Sequence, residues 1–92
     1  MAKRLIVSRK AYFNIDEIIE FSKLRNKSDT YSTKFVKLIF KEFKLLLKHP
    51  FMGKPTSKNT YVLIWNSYCI YYLIDDNEVT ILSVNHQKQN IR

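Results

Sequence analysis

Residues 61–86 read YVLIWNSYCIYYLIDDNEVTILSVNH, and this stretch decides the fold of the chain. Residues 61–65 are rich in aromatic and β-branched side chains, which are typical of a strand. An Asn-Ser turn pair follows, and residues 75–77 (Asp-Asp-Asn) form a second turn because Asp and Asn tolerate positive φ. Residues 79–84 return as a further strand. The stretch therefore predicts an antiparallel meander of three strands.

The middle strand of this meander is predicted to lie inside the sheet. Residues 68–74 are apolar or aromatic at all seven positions, with no alternation. A continuous apolar run of this length is typical of a strand that is covered on both faces. We therefore expect a neighbouring strand on each side of it.

The chain opens with a short predicted strand over residues 4–7 and a first helix from residue 9 to about residue 24. Ser8 is the predicted N-cap, because a serine hydroxyl accepts a hydrogen bond from a free first-turn amide. Apolar residues recur at steps of three and four, and the acidic residues lie outside that stripe, which indicates an amphipathic helix. The apolar positions are Ala11, Tyr12, Ile15, Ile18 and Ile19; the acidic ones are Asp16, Glu17 and Glu20.

A second helix is predicted over residues 31–48, after a polar connection at 25–30. One side of it is a line of apolar residues: Phe35, Ile39, Phe43 and Leu46, broadened by Val36, Phe40 and Leu47. His49-Pro50 ends the helix, because the residue before a proline is biased away from the helical region. Residues 51–55 are predicted to form a turn and 56–60 a polar approach to the sheet.

The predicted order is β-α-α-β-β-β, an α+β fold. Two successive helices form a hairpin that packs on one face of a small, mainly antiparallel sheet. Residues 1–92 make a single domain, since 92 residues suffice for one modest core. The single cysteine excludes an internal disulfide. The apolar run near the start is only three residues long, so we expect no signal peptide and a cytoplasmic protein.

Positive charge is concentrated in the helical part of the chain. The net charge is +8, and residues 1–59 hold 14 Lys and Arg against 5 Asp and Glu. The second helix carries a lysine stripe opposite its apolar line, at Lys34, Lys37, Lys41, Lys44 and Lys48. The stripe is either a solvated helix face or an electrostatic platform for nucleic acid or an acidic partner.

The element order and several motifs along it resemble the RelE/ParE superfamily of bacterial type II toxins. That superfamily has a Pro and then a Gly after the second helix, a Tyr-x-Ile-x-Tyr strand, and an Ile-Leu-x-Val strand that reaches a His or a basic residue. Pro50, Gly53, the run 68–72 (YCIYY), the run 81–84 (ILSV) and His86 fill these places. The resemblance spans nearly the whole chain and implies a small cytosolic toxin that a cognate antitoxin holds inactive.

The superfamily divides by target: RelE-like members cleave mRNA on the ribosome, whereas ParE-like members bind and poison DNA gyrase. This chain lacks basic residues at four places where RelE-like members carry them: Val62, Ile64, Cys69 and Gln87. Cleavage of RNA through its own 2′-hydroxyl needs a base and needs cations for the charge that grows on the phosphate. The sequence therefore favours a ParE-like growth inhibitor. The alternatives are a RelE-like ribosome-dependent endoribonuclease and a non-toxic nucleic-acid-binding or orphan member.

His86 is the candidate catalytic residue, because imidazole titrates near neutrality; the other interpretation is an ordinary polar residue that finishes a strand. The candidate nucleic-acid or target-binding residues offer positive charge, polar contacts or a stacking ring: Lys54, Lys58, Lys88, Gln87 and Tyr61. The lysine stripe is the candidate antitoxin-binding surface.

The expected partners are an acidic, partly disordered antitoxin and a target, which is either DNA gyrase or the ribosome with mRNA. We expect no membrane association. No phosphate loop, paired-carboxylate motif, nucleophile elbow or metal-ligand spacing occurs in the sequence. We therefore expect neither a cofactor nor a metal.

Overall fold

A computed structural model describes residues 4–26 and 29–87, with the side chains of residues 4–21 and 33–87. The described residues form two helices and a five-stranded sheet, in the order β-α-α-β-β-β-β. The elements are β1 (Arg4–Val7), α1 (Arg9–Asn26), α2 (Asp29–Lys48), β2 (Lys54–Ser57), β3 (Thr60–Trp65), β4 (Tyr68–Asp75) and β5 (Glu78–His86).

The sheet has the strand order β1-β5-β4-β3-β2. β1 pairs with β5 in parallel, and the other three pairings are antiparallel. The predicted α+β class and the mainly antiparallel sheet are therefore confirmed, and β4 lies between two strands as its continuous apolar run predicts. Both meander turns also occur where they were expected, with positive φ at Asn66, Asp76 and Asn77.

One strand of the sheet was not predicted. Residues 54–57, which the sequence suggested were part of a turn and a polar approach, form β2 and pair with β3. All four residues of β2 are exposed, and the pairing is irregular between Pro55 and Ser57. An edge strand pairs with a neighbour on just one side and can contain proline. Such a strand needs no hydrophobic pattern. For that reason its composition resembles that of a loop.

The helix boundaries also differ from the prediction. The predicted connection at 25–30 is too long, because α1 continues to Asn26 and α2 begins at Asp29. Leucine and arginine are good helix formers, so α1 does not end at residue 24. An aspartate at the first position of a helix interacts favourably with the helix dipole, which suits the earlier start of α2.

A single hydrophobic core lies between the helices and one face of the sheet. The predicted apolar line of α2 is fully or almost fully buried, and Ala11 and Ile15 of α1 join it. The sheet contributes alternate residues of β4 and β5 to this core: Ile70, Tyr72, Val79, Ile81 and Val84. The side of the sheet toward the helices is called the covered face below, and the other side the open face.

A bulge in β5 changes which residues of that strand face the core. Tyr71 pairs with Ser83 and Tyr72 with Ile81, so Leu82 is an extra residue without a partner on β4. The bulge is bonded to the start of α1. The Ser8 amide donates to the Ile81 carbonyl at 3.0 Å, and the Ser8 hydroxyl donates to the Leu82 carbonyl at 3.0 Å.

The same hydroxyl caps α1, as predicted: it accepts a hydrogen bond from the Ala11 amide at 3.0 Å. One turn further along α1, the Asn14 side-chain oxygen accepts from the Val84 amide at 3.1 Å. The first turns of α1 therefore provide partners on both sides of the bulge.

The corner between α2 and β2 is held by the hydroxyl of Tyr72, whose side chain is fully buried. This hydroxyl donates to the Pro50 carbonyl at 2.7 Å and accepts from the Gly53 amide at 2.9 Å. A Cβ atom on Gly53 would lie 2.6 Å from the Val62 carbonyl oxygen and 2.8 Å from the Tyr72 hydroxyl. The corner therefore requires a glycine because the backbone approaches its neighbours so closely.

We expect Tyr72→Phe to lower the free energy of unfolding by about 1–3 kcal/mol, because two polar groups of the corner lose their partner. Urea denaturation followed by circular dichroism measures the change. Tyr71→Phe is the matched control: its hydroxyl has no hydrogen-bond partner within the described part of the chain, so we expect a change below about 0.5 kcal/mol. Equal effects of the two substitutions would contradict the prediction.

Candidate functional site

The lysine stripe lies on the outer surface of α2. All five of its residues are exposed, and the residues on the opposite side of the helix form the core. A lysine stripe of this length on one helix face produces a positive potential that attracts a polyanion or an acidic protein. The structure therefore places all five lysines on one exposed helix face, and their role as a platform stays a prediction.

Exposed apolar side chains border the lysine stripe. Leu38 and Leu45 are one heptad apart on α2, and they are 43% and 38% exposed. Residues seven positions apart lie almost on one line along a helix, so the two leucines form an apolar edge beside the lysines. Beyond the end of α2, Phe51 is 70% exposed and Met52 is 42% exposed. These four apolar residues and the lysine stripe together are called the α2 surface below.

His86, the candidate catalytic residue, lies at the end of β5 on the covered face. It pairs with Tyr68, and the two rings meet edge to face with centroids 5.1 Å apart. Tyr68 in turn packs against Phe35 of α2, with ring centroids 5.4 Å apart. The imidazole is half-buried and belongs to an aromatic cluster at the rim of the core.

Lys54 and Lys58 are exposed, and the sheet does not bring either of them to His86. Lys54 pairs with Val62, which belongs to the open face, and His86 belongs to the covered face. The register separates Lys54 from His86 by about 10 Å along the strands and about 14 Å across them. Lys58 is in the turn before β3. It therefore lies near the start of β3, whereas His86 is near the other end of that strand.

Tyr61 lies on the covered face, not on the open face with Lys54. Its ring stacks on Tyr72 at a centroid distance of 5.6 Å and meets Phe51 edge to face at 5.7 Å. It is half-buried by these contacts. Gln87 follows β5, is exposed, and donates its backbone amide to the Ser67 carbonyl at 2.8 Å. Lys88 lies outside the described residues.

Val62, Ile64 and Cys69, which replace basic residues of RelE-like members, lie together on the open face. Ile64, Cys69 and Asn85 pair across three strands, and Val62 and Tyr71 form the adjacent row. Ile64 is exposed and Cys69 is buried. This part of the open face therefore presents apolar and neutral polar side chains, with Lys54 at its edge. Among the described residues, no group of three or more His, Cys, Asp or Glu is placed to hold a metal ion.

Sequence reasoning missed two features of this surface. The apolar edge formed by Leu38 and Leu45 falls between the predicted core line and the lysine stripe, and periodicity alone assigned it to neither. The role of Tyr72 was missed as well, because its partners are backbone groups about 20 residues away in sequence. Pro50 and Gly53 could have indicated this role, because the Tyr72 hydroxyl forms hydrogen bonds with their backbone groups.

The fold, a two-helix hairpin on a small sheet with a basic outer helix, is that of a class of small bacterial toxins. Residues 5–91 match the family model of the ParE toxin of type II toxin-antitoxin systems, parDE. The chain therefore belongs to the ParE toxin family. No curated protein is significantly similar to it in sequence.

Two solved structures share its fold. A chain of the chromosomal ParDE toxin-antitoxin system from P. aeruginosa superposes with a TM-score of 0.78 at 19% identity, over 90% of this chain and 94% of that one. A chain of the toxin-antitoxin complex RelBE2 from Mycobacterium tuberculosis gives a TM-score of 0.64 at 21% identity, over 94% and 99% of the two chains. Neither of the described helices is both long and apolar enough to cross a membrane.

The buried phenol of Tyr72 is expected to make stability pH-dependent at high pH. Burial raises the pKa of Tyr72, the neighbouring Tyr61 raises it further, and the hydrogen bond from the Gly53 amide opposes the rise. In the unfolded chain the phenol ionises near pH 10, so above that pH ionisation favours the unfolded state.

We therefore expect the free energy of unfolding to fall as the pH rises above about 10, and to fall less in Tyr72→Phe. Urea denaturation between pH 8 and 11 measures both slopes, and Tyr71→Phe is the control that should retain the steeper one. Lysines titrate in the same range, but they are present in all three proteins and cancel in the comparison. Identical slopes for the wild type and Tyr72→Phe would show that ionisation of Tyr72 does not cause the loss of stability.

Proposed function

We propose that this ParE-family chain is the toxin of a type II toxin-antitoxin pair and inhibits bacterial growth in the cytoplasm by binding its target. The proposed target is DNA gyrase, because ParE-like members of the superfamily bind it. The proposal rests on the family membership of the chain for the toxin class and on the geometry of the candidate residues for the mode of action.

The distance between His86 and Lys54 is the main support for action by binding. Cleavage of RNA by its 2′-hydroxyl needs a base and a cation within a few ångströms of one phosphate. His86 is half-buried among aromatic rings on the covered face, and Lys54 belongs to the open face three strands away. His86 and Lys54 cannot contact one phosphate in this fold, so among the described residues the candidate groups support target binding better than catalysis.

The test is to induce the chain in bacteria and to follow mRNA integrity and plasmid supercoiling over the same time course. We expect growth arrest with intact mRNA and altered DNA topology, unchanged by His86→Ala. His49→Ala is the matched control, since His49 is the other histidine of the chain and is exposed just after the end of α2.

Rapid mRNA cleavage that falls by about two to four orders of magnitude in His86→Ala, but not in His49→Ala, would establish the nuclease instead. Induction without any growth arrest would contradict the toxin itself and favour an orphan member.

The proposed antitoxin site is the α2 surface. An acidic amphipathic segment would place its carboxylates on the lysine stripe and its apolar side chains on Leu38 and Leu45, burying apolar area that is now exposed. The charge of residues 1–59 adds long-range attraction to an acidic partner. The apolar edge beside the lysines supports a docking surface more than a solvated helix face.

We expect the triple substitution Lys37→Glu, Lys41→Glu and Lys44→Glu to weaken binding of the acidic protein encoded beside this gene by at least about tenfold. The salt dependence of binding should also decrease, because fewer ionic contacts form. Calorimetric titration at several salt concentrations measures both.

The matched control is Lys10→Glu, Lys54→Glu and Lys58→Glu, three exposed lysines outside α2 that change the net charge by the same amount. Equal weakening by the two triple variants would show that net charge, not the α2 surface, determines binding.

A further inference from the structure

The open face carries a shallow depression of about 590 Å³, wide open to solvent, beside the bulge of β5 and the start of α1. A volume of several hundred cubic ångströms is typical of sites for small molecules. Six residues line it: Ser8, Lys10, Thr60, Tyr71, Leu82 and Ser83. It is called the bulge cavity below. None of the candidate catalytic, target-binding or antitoxin-binding residues lines it.

The bulge cavity has a buried hydroxyl in its wall that lacks a partner. Ser83 is only 8% exposed, and its hydroxyl makes no hydrogen bond with any residue that the structure describes. Buried polar side chains nearly always have a hydrogen-bond partner, from the protein, from water or from a ligand. Bulges often serve to re-aim a side chain at a binding site. Here the extra residue Leu82 places Ser83 on the open face, opposite Tyr71.

The start of α1 makes the same cavity attractive to an anion. α1 has 18 residues, and its first-turn amides are positive because of the helix dipole. Ser8 satisfies the amides of Ala11 and Tyr12. Those of Arg9 and Lys10 bond no acceptor among the described residues. Free amides at a helix start commonly bind phosphate or carboxylate groups. The ammonium of Lys10 forms no ion pair within the described part of the chain and adds a full positive charge.

The remaining wall of the cavity consists of Thr60 and two larger side chains, Tyr71 and Leu82. Tyr71 is a half-buried aromatic side chain, and Leu82 continues its surface. An aromatic ring beside a cationic anion site can stack a nucleobase while the cations hold the phosphate. The cavity therefore combines donors for an oxyanion at one end with a stacking surface at the other.

We propose that the bulge cavity binds a phosphorylated small molecule of mononucleotide size. Its phosphoryl group accepts hydrogen bonds from the Lys10 amide, the Lys10 ammonium and the Ser83 hydroxyl, and its base stacks on Tyr71. This site is separate from the α2 surface and does not depend on the toxin's target, so its test is independent of the proposed function.

The test is a titration of the isotope-labelled full chain, followed by the amide signals in ¹H–¹⁵N NMR spectra. The probes are AMP, inorganic phosphate and a ten-residue single-stranded oligothymidine without a terminal phosphate. We expect AMP to shift the amide signals of Arg9, Lys10 and Ser83 in a saturable way. Phosphate should shift the same signals at least about tenfold more weakly, because it lacks the stacking contact. The absence of AMP-dependent shifts at these amides would overturn the proposal.

Substitutions locate the two ends of the ligand. Lys10→Ala should weaken AMP binding about tenfold, and Ser83→Ala about fivefold, through loss of a hydrogen bond to a charged group. Tyr71→Leu should bring the affinities for AMP and phosphate together. The matched controls are Lys37→Ala on α2 and Ser57→Ala on β2, both exposed and outside the cavity. We expect them to bind AMP like the wild type.

Three results would overturn the proposal. The first is equal weakening by Lys10→Ala and Lys37→Ala, which would indicate attraction by net charge. The second is equal affinity of the wild type for AMP and phosphate, which would show that the base contributes nothing to binding. The third is binding of the oligothymidine through the same amides as tightly as AMP, which would make the ligand a nucleic-acid strand. The NMR spectra of the free variants show whether each one is folded, so a loss of binding is not confused with unfolding.

Discussion

The bulge of β5, held by the first turns of α1, is the constraint on which the two faces of the sheet depend. Ser8 bonds the Ile81 and Leu82 carbonyls while it caps α1, and Asn14 bonds the Val84 amide beyond the bulge. An extra residue in a strand shifts the alternation of every side chain after it. Val84 therefore enters the core and His86 joins the covered face, whereas Ser83 is directed to the open face.

The hydroxyl of Tyr72 plays a comparable part at the opposite side of the sheet. It bonds the Pro50 carbonyl and the Gly53 amide, so it determines how the chain leaves α2 and enters β2. The residues by which the chain resembles the superfamily, a Pro and a Gly after the second helix and a Tyr in the central strand, are thus the partners in one hydrogen-bonded corner. Their shared role is structural, which explains why they indicate the fold without indicating the target.

Among the described residues, the sheet separates His86 from Lys54, two of the groups considered for RNA cleavage. Its covered face holds His86 and Tyr61 in aromatic packing, and its open face presents Val62, Ile64 and Cys69, with Lys54 at the edge. Five exposed lysines lie instead on α2, beside exposed leucines.

The sequence by itself determined the elements whose signals are local. The apolar line of α2, the lysine stripe, the Ser8 cap, the two meander turns and the internal position of β4 all follow from periodicity and residue type. The same periodicity defined the candidate antitoxin surface except for its leucine edge. Three features were decided only by the tertiary structure: the edge strand β2, the bulge at Leu82, and the partners of the Tyr72 hydroxyl. Each depends on hydrogen bonds to backbone groups, which nearly every residue carries, so no side-chain pattern in the sequence displays them.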